Sequence, residues 1–472
     1  MLTTQYLLGL HGELVVDLFA GGGGASTGIE QAIGRPVDVA INHDPEAISL
    51  HTANHPQTIH YTADVFEVDP HEATEGRPVG LLWASPSCTH FSRARGGVPV
   101  SKQLRSLGWV VVRWAAAVKP RVIVCENVAE WRDWGPVLAS KGVPCPKRKG
   151  KTFRQWVGHL QRLGYRVEHR ELRACDYGTP TIRKRLFLVA RRDGHPIVWP
   201  KPTHNERGTD GLKPWRTAAE CIDWTLPCPS IFDRKRPLAD ATLRRIAKGV
   251  MRYVVEAAEP FIVPLHNGLI VPTLVQTGYG EREGQQPRVP GIEKPLGTLV
   301  AGGGKHALVA AFLAKHFTGV VGADLREPMP TVTSVDHNAL VTATLSEQAA
   351  GNGTKVAALL VKYYGNEREG VSLTEPLHTI PTKDRFGLVT VTIHGQQYVI
   401  TDIGMRMLAP RELYRAQGFP ADYRIDMGAD GKPLTKTAQV RMCGNSVCPP
   451  LARAIVAANY NEMAEAAALE AA

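Results

Sequence analysis

The chain has 472 residues, room for two or three domains or one large domain with an insertion, and 43% hydrophobic with 21% charged residues excludes a disordered or fibrous chain. Its formal net charge of +10 favours a polyanionic partner such as nucleic acid. Eight cysteines without a CxxC pair argue against a disulfide scaffold and a zinc site, and no apolar run approaches the ~18–20 residues of a membrane span.

In chain order, Leu14-Val15-Val16-Asp17-Leu18 is a buried strand ending in a glycine turn, and Ala25 to Ile33 a helix. Val37 to Ile41, Leu81 to Ala84, Val122 to Cys125 and Leu186 to Ala190 are further apolar strands. Apolar strands separated by helical segments predict an α/β fold with a mostly parallel sheet. The basic run Lys147-Arg148-Lys149-Gly150-Lys151 with Arg154 is either a solvated loop or a phosphate contact. Near Pro200 the chain turns rich in Gly, Pro and Thr, with short β-prone pieces.

That region holds a repeat. Glu293 to Thr298, Glu327 to Thr331 and Glu375 to Thr379 each precede a Leu-Val pair, at Leu308, Leu340 and Leu388. The stretch Tyr279 to Gly284 is echoed by Tyr364 to Gly370. The repeat is either a surface for a repetitive polymer or duplicated scaffold. Residues 401–472 return to helix-like sequence, with a frayed helix expected over Asn461 to Ala472.

Several local strings carry chemistry. Asp17-Leu18-Phe19-Ala20-Gly21-Gly22-Gly23-Gly24 is a glycine-rich strand-to-helix turn that can approach a ligand closely. Ser85-Pro86-Ser87-Cys88-Thr89-His90-Phe91-Ser92 places a cysteine just after a strand, where a thiolate can act as nucleophile. Glu126-Asn127-Val128 follows the next strand, and Thr181-Ile182-Arg183-Lys184-Arg185 precedes another. Arg406 to Pro420 and Gly444-Asn445-Ser446-Val447 complete the set.

These six strings, in this order, resemble the motifs of the cytosine-5 DNA methyltransferase family. Two positions depart from it: Ser87 stands where the family has proline before the cysteine, and Thr181 where it has glutamine. The resemblance implies a Rossmann-like S-adenosylmethionine-dependent methyltransferase sheet with a β-rich target-recognition insert. It implies Cys88 as the nucleophile, Glu126 on cytosine N3, Arg185 on the cytosine carbonyl and Arg183 beside the reacting pair. Glu126 can assist there only while it holds a proton. Arg93, Arg95 and Gly97 resemble the mobile loop that closes over DNA. For the cofactor it implies Phe19, Ala20, Gly21 and Gly23 in the turn, Asp64 on the adenine, and Asn445 and Ser446 in the returning segment. His43 holds the register of the ribose ligand and Asp44 its chemistry, so both stand as candidates.

The expected organisation is a catalytic part over residues 1–200, a recognition region over 201–400, and a returning catalytic segment over 401–472. Double-stranded DNA is the expected partner, through base flipping and a covalent adduct, as in restriction-modification. A tRNA cytosine-5 methyltransferase or an inactive DNA-binding homologue is the alternative. No metal and no membrane contact are expected. Met1 to Glu13 lacks the basic segment of a secretion signal, and a cytoplasmic monomer is expected.

Overall fold

The computed structural model describes residues 12–87, 106–138, 143–259, 261–265, 268–276, 289, 291–296, 306–315, 359, 390–393 and 396–460. The chain divides into two compact units. The first takes its described residues from 12–216 and 413–460, the second from 217–296 and 304–412. Among the described residues no helix is long and apolar enough to cross a membrane.

The first unit is built on a seven-stranded sheet. Its strands are β1 (Leu14–Leu18), β2 (Val39–Asn42), β3 (Ile59–Thr62), β4 (Val79–Ala84), β5 (Val122–Asn127), β6 (Arg166–Arg173) and β7 (Lys184–Arg191), in the order β3-β2-β1-β4-β5-β7-β6. The pairs from β3 to β5 are parallel, and β7 is antiparallel to both β5 and β6. The mostly parallel α/β fold expected from the sequence is thus present. The Leu186 run differs in direction: only residues 174–183 separate β6 from β7, too few for a helical crossover, so the strand returns antiparallel.

Both faces of this sheet are covered, which is why β1 is fully buried along its length. Leu14, Val16 and Leu18 join a core with Val110, Trp114, Trp156 and Leu160 from helices α3 (Gly108–Ala117) and α4 (Lys151–Arg162). Val15 joins the opposite core, with Ile29 and Ile33 from α1 (Gly24–Ile33) and Leu451 and Ile455 from α8 (Pro449–Asn459). Helices α1 and α8 pack almost backbone to backbone. A Cβ on Gly28 would lie 2.4 Å from the Pro449 carbonyl oxygen and 2.6 Å from the Ala452 Cβ. The end of the chain therefore supplies half of one helical layer over a sheet made from its beginning. Helix α2 (Pro45–Asn54) packs through Ala47 and Leu50 on Ala438 and Met442 of α7 (Lys436–Asn445).

The second unit holds α5 (Asp240–Val250) and a five-stranded antiparallel sheet. Its strands β8 (Val263–Leu265), β9 (Gly268–Gln276), β10 (His306–Lys315), β11 (Thr390–Ile393) and β12 (Gln396–Met407) run in the order β8-β9-β10-β12-β11. Ile246, Ala247 and Val250 of α5 share a core with Val271, Ile400 and Ile403. Helix-like sequence was expected from residue 401, but β12 continues to Met407 because its pairing with β10 holds that stretch extended. Helix α6 (Pro410–Gln417) follows. Of the repeat, residues 293–296 and the strand around Leu308 are described. The later copies, both tyrosine-glycine stretches and Asn461 to Ala472 lie outside the described residues.

Candidate active site

The candidate site forms at the carboxyl ends of β1, β4 and β5, where parallel strands place successive loops side by side. The turn after β1 bends sharply: Phe19 adopts φ 63°, Gly21 φ 55° and Gly23 φ 86°. The two glycines differ in surroundings. A Cβ at Gly21 would meet nothing nearer than the Phe19 carbonyl oxygen at 3.8 Å. A Cβ at Gly23 would lie 2.3 Å from the Tyr423 hydroxyl and 2.7 Å from His55 Nε2. Glycine at position 23 is thus required by packing, and Gly21 is the open point of the turn. Buried Ala20 donates its backbone N–H to the Ile41 carbonyl, tying the turn to β2.

Beneath the turn lies a buried polar chain. Ser26 Oγ donates to Asp17 Oδ2 at 2.8 Å and lies 3.0 Å from His51 Nε2, and His51 Nδ1 lies 2.8 Å from His60 Nε2. Burial pushes the Asp17 carboxyl up to about 7, against the pull of its Ser26 hydrogen bonds. Burial likewise holds His51 well below the ordinary imidazole range, helped by neighbouring His55 and His60.

Glu126 and Asn127 end β5. Asn127 Nδ2 donates to the Pro86 carbonyl at 2.9 Å, two residues before Cys88. Cys88 itself lies outside the described residues, as do Arg93, Arg95 and Gly97. Buried Glu126 sits with Oε1 3.1 Å from Arg185 Nε and 4.0 Å from Arg183 Nη2. Arg183 is anchored by donating from Nη1 to the Gly444 carbonyl at 3.0 Å. The antiparallel register that pairs Glu126 with Phe187 is what carries these arginines to the end of β5. Glu126, Arg183 and Arg185 line one recess with Ala174, Phe187, Val447, Cys448 and Leu451. Burial pushes the Cys448 thiol up to about 12, with Arg183 and Arg185 opposing, and it donates to Gln417 Oε1 at 2.8 Å. A thiol held protonated in this way is a poor nucleophile.

The acidic candidates lie at the ends of β2 and β3. His43 is exposed. Asp44 caps α2 by accepting the Glu46 N–H at 3.0 Å on Oδ1, and its Oδ2 is paired with Arg441. Burial raises this carboxyl, but the Arg441 hydrogen bond and charge outweigh it and leave Asp44 below its ordinary value. Asp64 is half-buried and accepts the Phe66 N–H on Oδ1 at 3.0 Å. Asn445 is exposed at the end of α7, and buried Ser446 turns its hydroxyl back to the Met442 carbonyl at 2.7 Å. Near the end of β12, Arg406 grips Glu412 through both terminal nitrogens, at 2.8 and 2.9 Å, and also donates to the Asp223 carbonyl.

Sequence reasoning missed Asn127 as a clamp, Arg441 as the partner of Asp44, and Tyr423 as a wall of the glycine turn. Asn127 stood within a string already singled out. Arg441 and Tyr423 carried no local signal, being about 400 residues from their partners.

Residues 14–214 and 328–460 match the family described as C-5 cytosine-specific DNA methylase. The chain belongs to the C-5 cytosine-specific DNA methylase family. It is similar to the Type II methyltransferase M1.HphI of Haemophilus parahaemolyticus, 28% identical over 213 residues, which are 44% of this chain and 54% of that protein. It is also similar to the Type II methyltransferase M.AquIA of Picosynechococcus, 28% identical over 231 residues, 45% of this chain and 88% of that protein. The matched part thus spans about half the length of the Haemophilus relative. The S. pombe Dnmt2 methyltransferase is a structural neighbour, with TM-score 0.48 and 13% identity over 94% of this chain and 97% of that one.

Methylases of this family take their methyl group from S-adenosylmethionine. The residues present fit that molecule: the turn at Gly21 is open where a backbone must approach a ligand, and Asp44 and Asp64 offer carboxylate acceptors at the ends of the next two strands. Hydroxyl and amino groups of a nucleoside are donors to such acceptors.

Proposed function

We propose that the chain methylates C5 of a flipped-out cytosine in duplex DNA, through a covalent adduct with Cys88. The observation that carries this reading is the arrangement of buried Glu126 beside Arg185 and Arg183, next to the Asn127 clamp on the loop that leads to Cys88. Its basic net charge and its family support DNA as the substrate.

Cytosine C5 is a weak nucleophile until a thiolate adds to C6. In the proposed step the Cys88 sulfur forms a bond to C6, and the electron pair of the C5–C6 double bond shifts toward C5 and the ring. Glu126, holding a proton, donates it toward N3, and Arg185 stabilises charge on the carbonyl oxygen. Arg183 fixes the pair from the Gly444 side. Bound S-adenosylmethionine supplies an electrophilic methyl group at C5. A base then removes the C5 proton, the C5–C6 double bond re-forms, the Cys88 sulfur leaves, and N3 returns its proton to Glu126. The cofactor is assigned to Phe19, Ala20, Gly21 and Gly23, to His43 or Asp44, to Asp64, and to Asn445 and Ser446. Neither face of a stacked base is accessible, so the cytosine must be flipped out at a cost of a few kcal/mol.

The region 201–400 is proposed to choose the target sequence, since the strings that carry chemistry lie outside it. From residue 217 its described part belongs to the second, β-rich unit, suited to present side chains to a groove. Exchange for the corresponding region of a relative with another target should transfer the specificity; an active hybrid with the original specificity would refute this assignment.

The test of the chemistry is adduct trapping. On duplex DNA carrying 5-fluorocytosine, the C5 substituent cannot leave as a proton, so the wild-type chain with cofactor should form a denaturation-resistant complex. Cys88→Ala should form none and transfer no methyl group to ordinary DNA. Turnover by Cys88→Ala would overturn the nucleophile assignment.

A further inference from the structure

The segment beyond the β5 end carries cations that the chemistry above does not use. Lys147, Arg148, Lys149, Lys151 and Arg154 are all exposed, and no acidic residue lies within 147–154. Lys149 Nζ meets Asp133 at 3.0 Å, but both partners are well exposed and solvent screens the pair.

The backbone under these cations is fixed in place. Cys145 N–H donates to the Pro136 carbonyl, Gly150 N–H to that of Asp133, and Phe153 N–H to that of Trp134. A Cβ on Gly135 would lie 2.3 Å from the Arg148 carbonyl oxygen, so the two segments run in direct backbone contact. Phe153 and Trp156 pack on Trp131, with ring centroids 5.5 and 4.9 Å away. Residues 131–136 lie four to nine positions after Asn127, reached through the single turn Ala129–Asp133 that follows β5. The cations therefore stand at the carboxyl end of β5, the end that carries Glu126.

Folding accounts for only part of them: the Arg148 side chain hydrogen-bonds the Cys145 thiol, and Lys149 meets Asp133. Lys151 opens α4 with no acidic residue in the first turn, where the helix dipole disfavours a cation. The neighbouring like charges repel one another as well. Such a local electrostatic cost is relieved by a polyanion, and a duplex that delivers its cytosine to Glu126 presents phosphates on either side of it. Resting on the methyltransferase reading, we propose that Lys147, Arg148, Lys151 and Arg154 form a rail that contacts DNA backbone phosphates beside the flipped cytosine. Contacts of this kind position the duplex and carry no sequence information.

The test is the salt dependence of binding. Binding of a fluorescent duplex of random sequence is measured between about 50 and 200 mM salt for wild type and the Lys147→Gln, Arg148→Gln, Lys151→Gln triple variant. The variant should show a log–log salt slope shallower by about 2–3, with weaker binding on every sequence tested. A variant with Lys147→Arg, Arg148→Lys and Lys151→Arg should keep the wild-type slope. Unchanged binding of S-adenosylhomocysteine and an unchanged Tm establish that the glutamine variant is folded. An unaltered slope in that folded variant, with DNA methylated by wild type, overturns the rail alone. A wild-type chain that neither binds nor methylates any duplex overturns the methyltransferase reading itself.

Discussion

Asn127 donates its side-chain amide to the carbonyl of Pro86 at 2.9 Å, joining the end of β5 to the loop that leaves β4. The same side chain accepts the Val128 N–H at 2.9 Å, so the amide is held from both sides. Asn127 thereby ties Glu126, its neighbour in sequence, to the approach to Cys88.

Replacing Asn127 by alanine leaves the buried Pro86 carbonyl without this donor, at a cost of about 1–3 kcal/mol. Misplacing a reacting group by an ångström can cost about 10²-fold in rate. Asn127→Ala should therefore slow single-turnover methyl transfer by roughly that factor while retaining affinity for S-adenosylhomocysteine. An unchanged rate would show that the loop is positioned by other contacts.

The two glycines of the first turn should separate on mutation. Gly23→Ala puts a methyl group 2.3 Å from the Tyr423 hydroxyl at φ 86°, and is expected to destabilise the fold by about 2 kcal/mol or more. Gly21→Ala meets no atom within 3.5 Å and costs only the positive φ, about 1 kcal/mol, but should weaken cofactor binding. Thermal unfolding with and without S-adenosylhomocysteine distinguishes them. Equal losses of Tm would contradict the assignment of Gly23 to packing and Gly21 to the ligand.

Asp17 and His51 should give opposite pH dependences of stability. The folded chain keeps a proton on Asp17 up to about pH 7, which the unfolded chain releases near the ordinary value of 3.8. Stability from this group falls as pH rises through that window, and the full penalty stands above it. His51 is held well below 6.5, so the unfolded chain gains a proton that the folded chain refuses, and stability is lost as pH falls below 6.5. Between about pH 5 and 7, Asp17→Asn should therefore show a Tm that climbs more steeply with pH than wild type. His51→Gln should show one that climbs less or declines. Parallel profiles for the three proteins would mean that neither group titrates differently on unfolding.

Arg441 bridges Asp44 and Glu46 at the start of α2 from the far end of the sequence. It is partly exposed, so Arg441→Ala should change stability by less than about 1 kcal/mol. Releasing Asp44 should weaken S-adenosylhomocysteine binding about tenfold, or 1.4 kcal/mol. Calorimetry that found unchanged affinity would remove Arg441 from the cofactor site.

Much of the fold and the candidate site is legible in short strings of sequence. Buried strands announce themselves because apolar runs are local, as in β1, β4 and β5, and β1 adds a glycine turn whose backbone freedom is local as well. Strands β3 and β6 escaped, because they lie at the sheet edges and carry the exposed, polar sequences that edges require. The same division runs through the site. Glu126, Arg183 and Arg185 could be named from their strings, but their meeting depends on the antiparallel register of β7 on β5. Sequence likewise could not separate Gly21 from Gly23 in a run of four glycines. That distinction comes from Tyr423 and His55, which fill the space over one and leave the other open. Residue type and local backbone are written in the neighbours along the chain, whereas the occupancy of a volume is decided by whichever distant segment packs there.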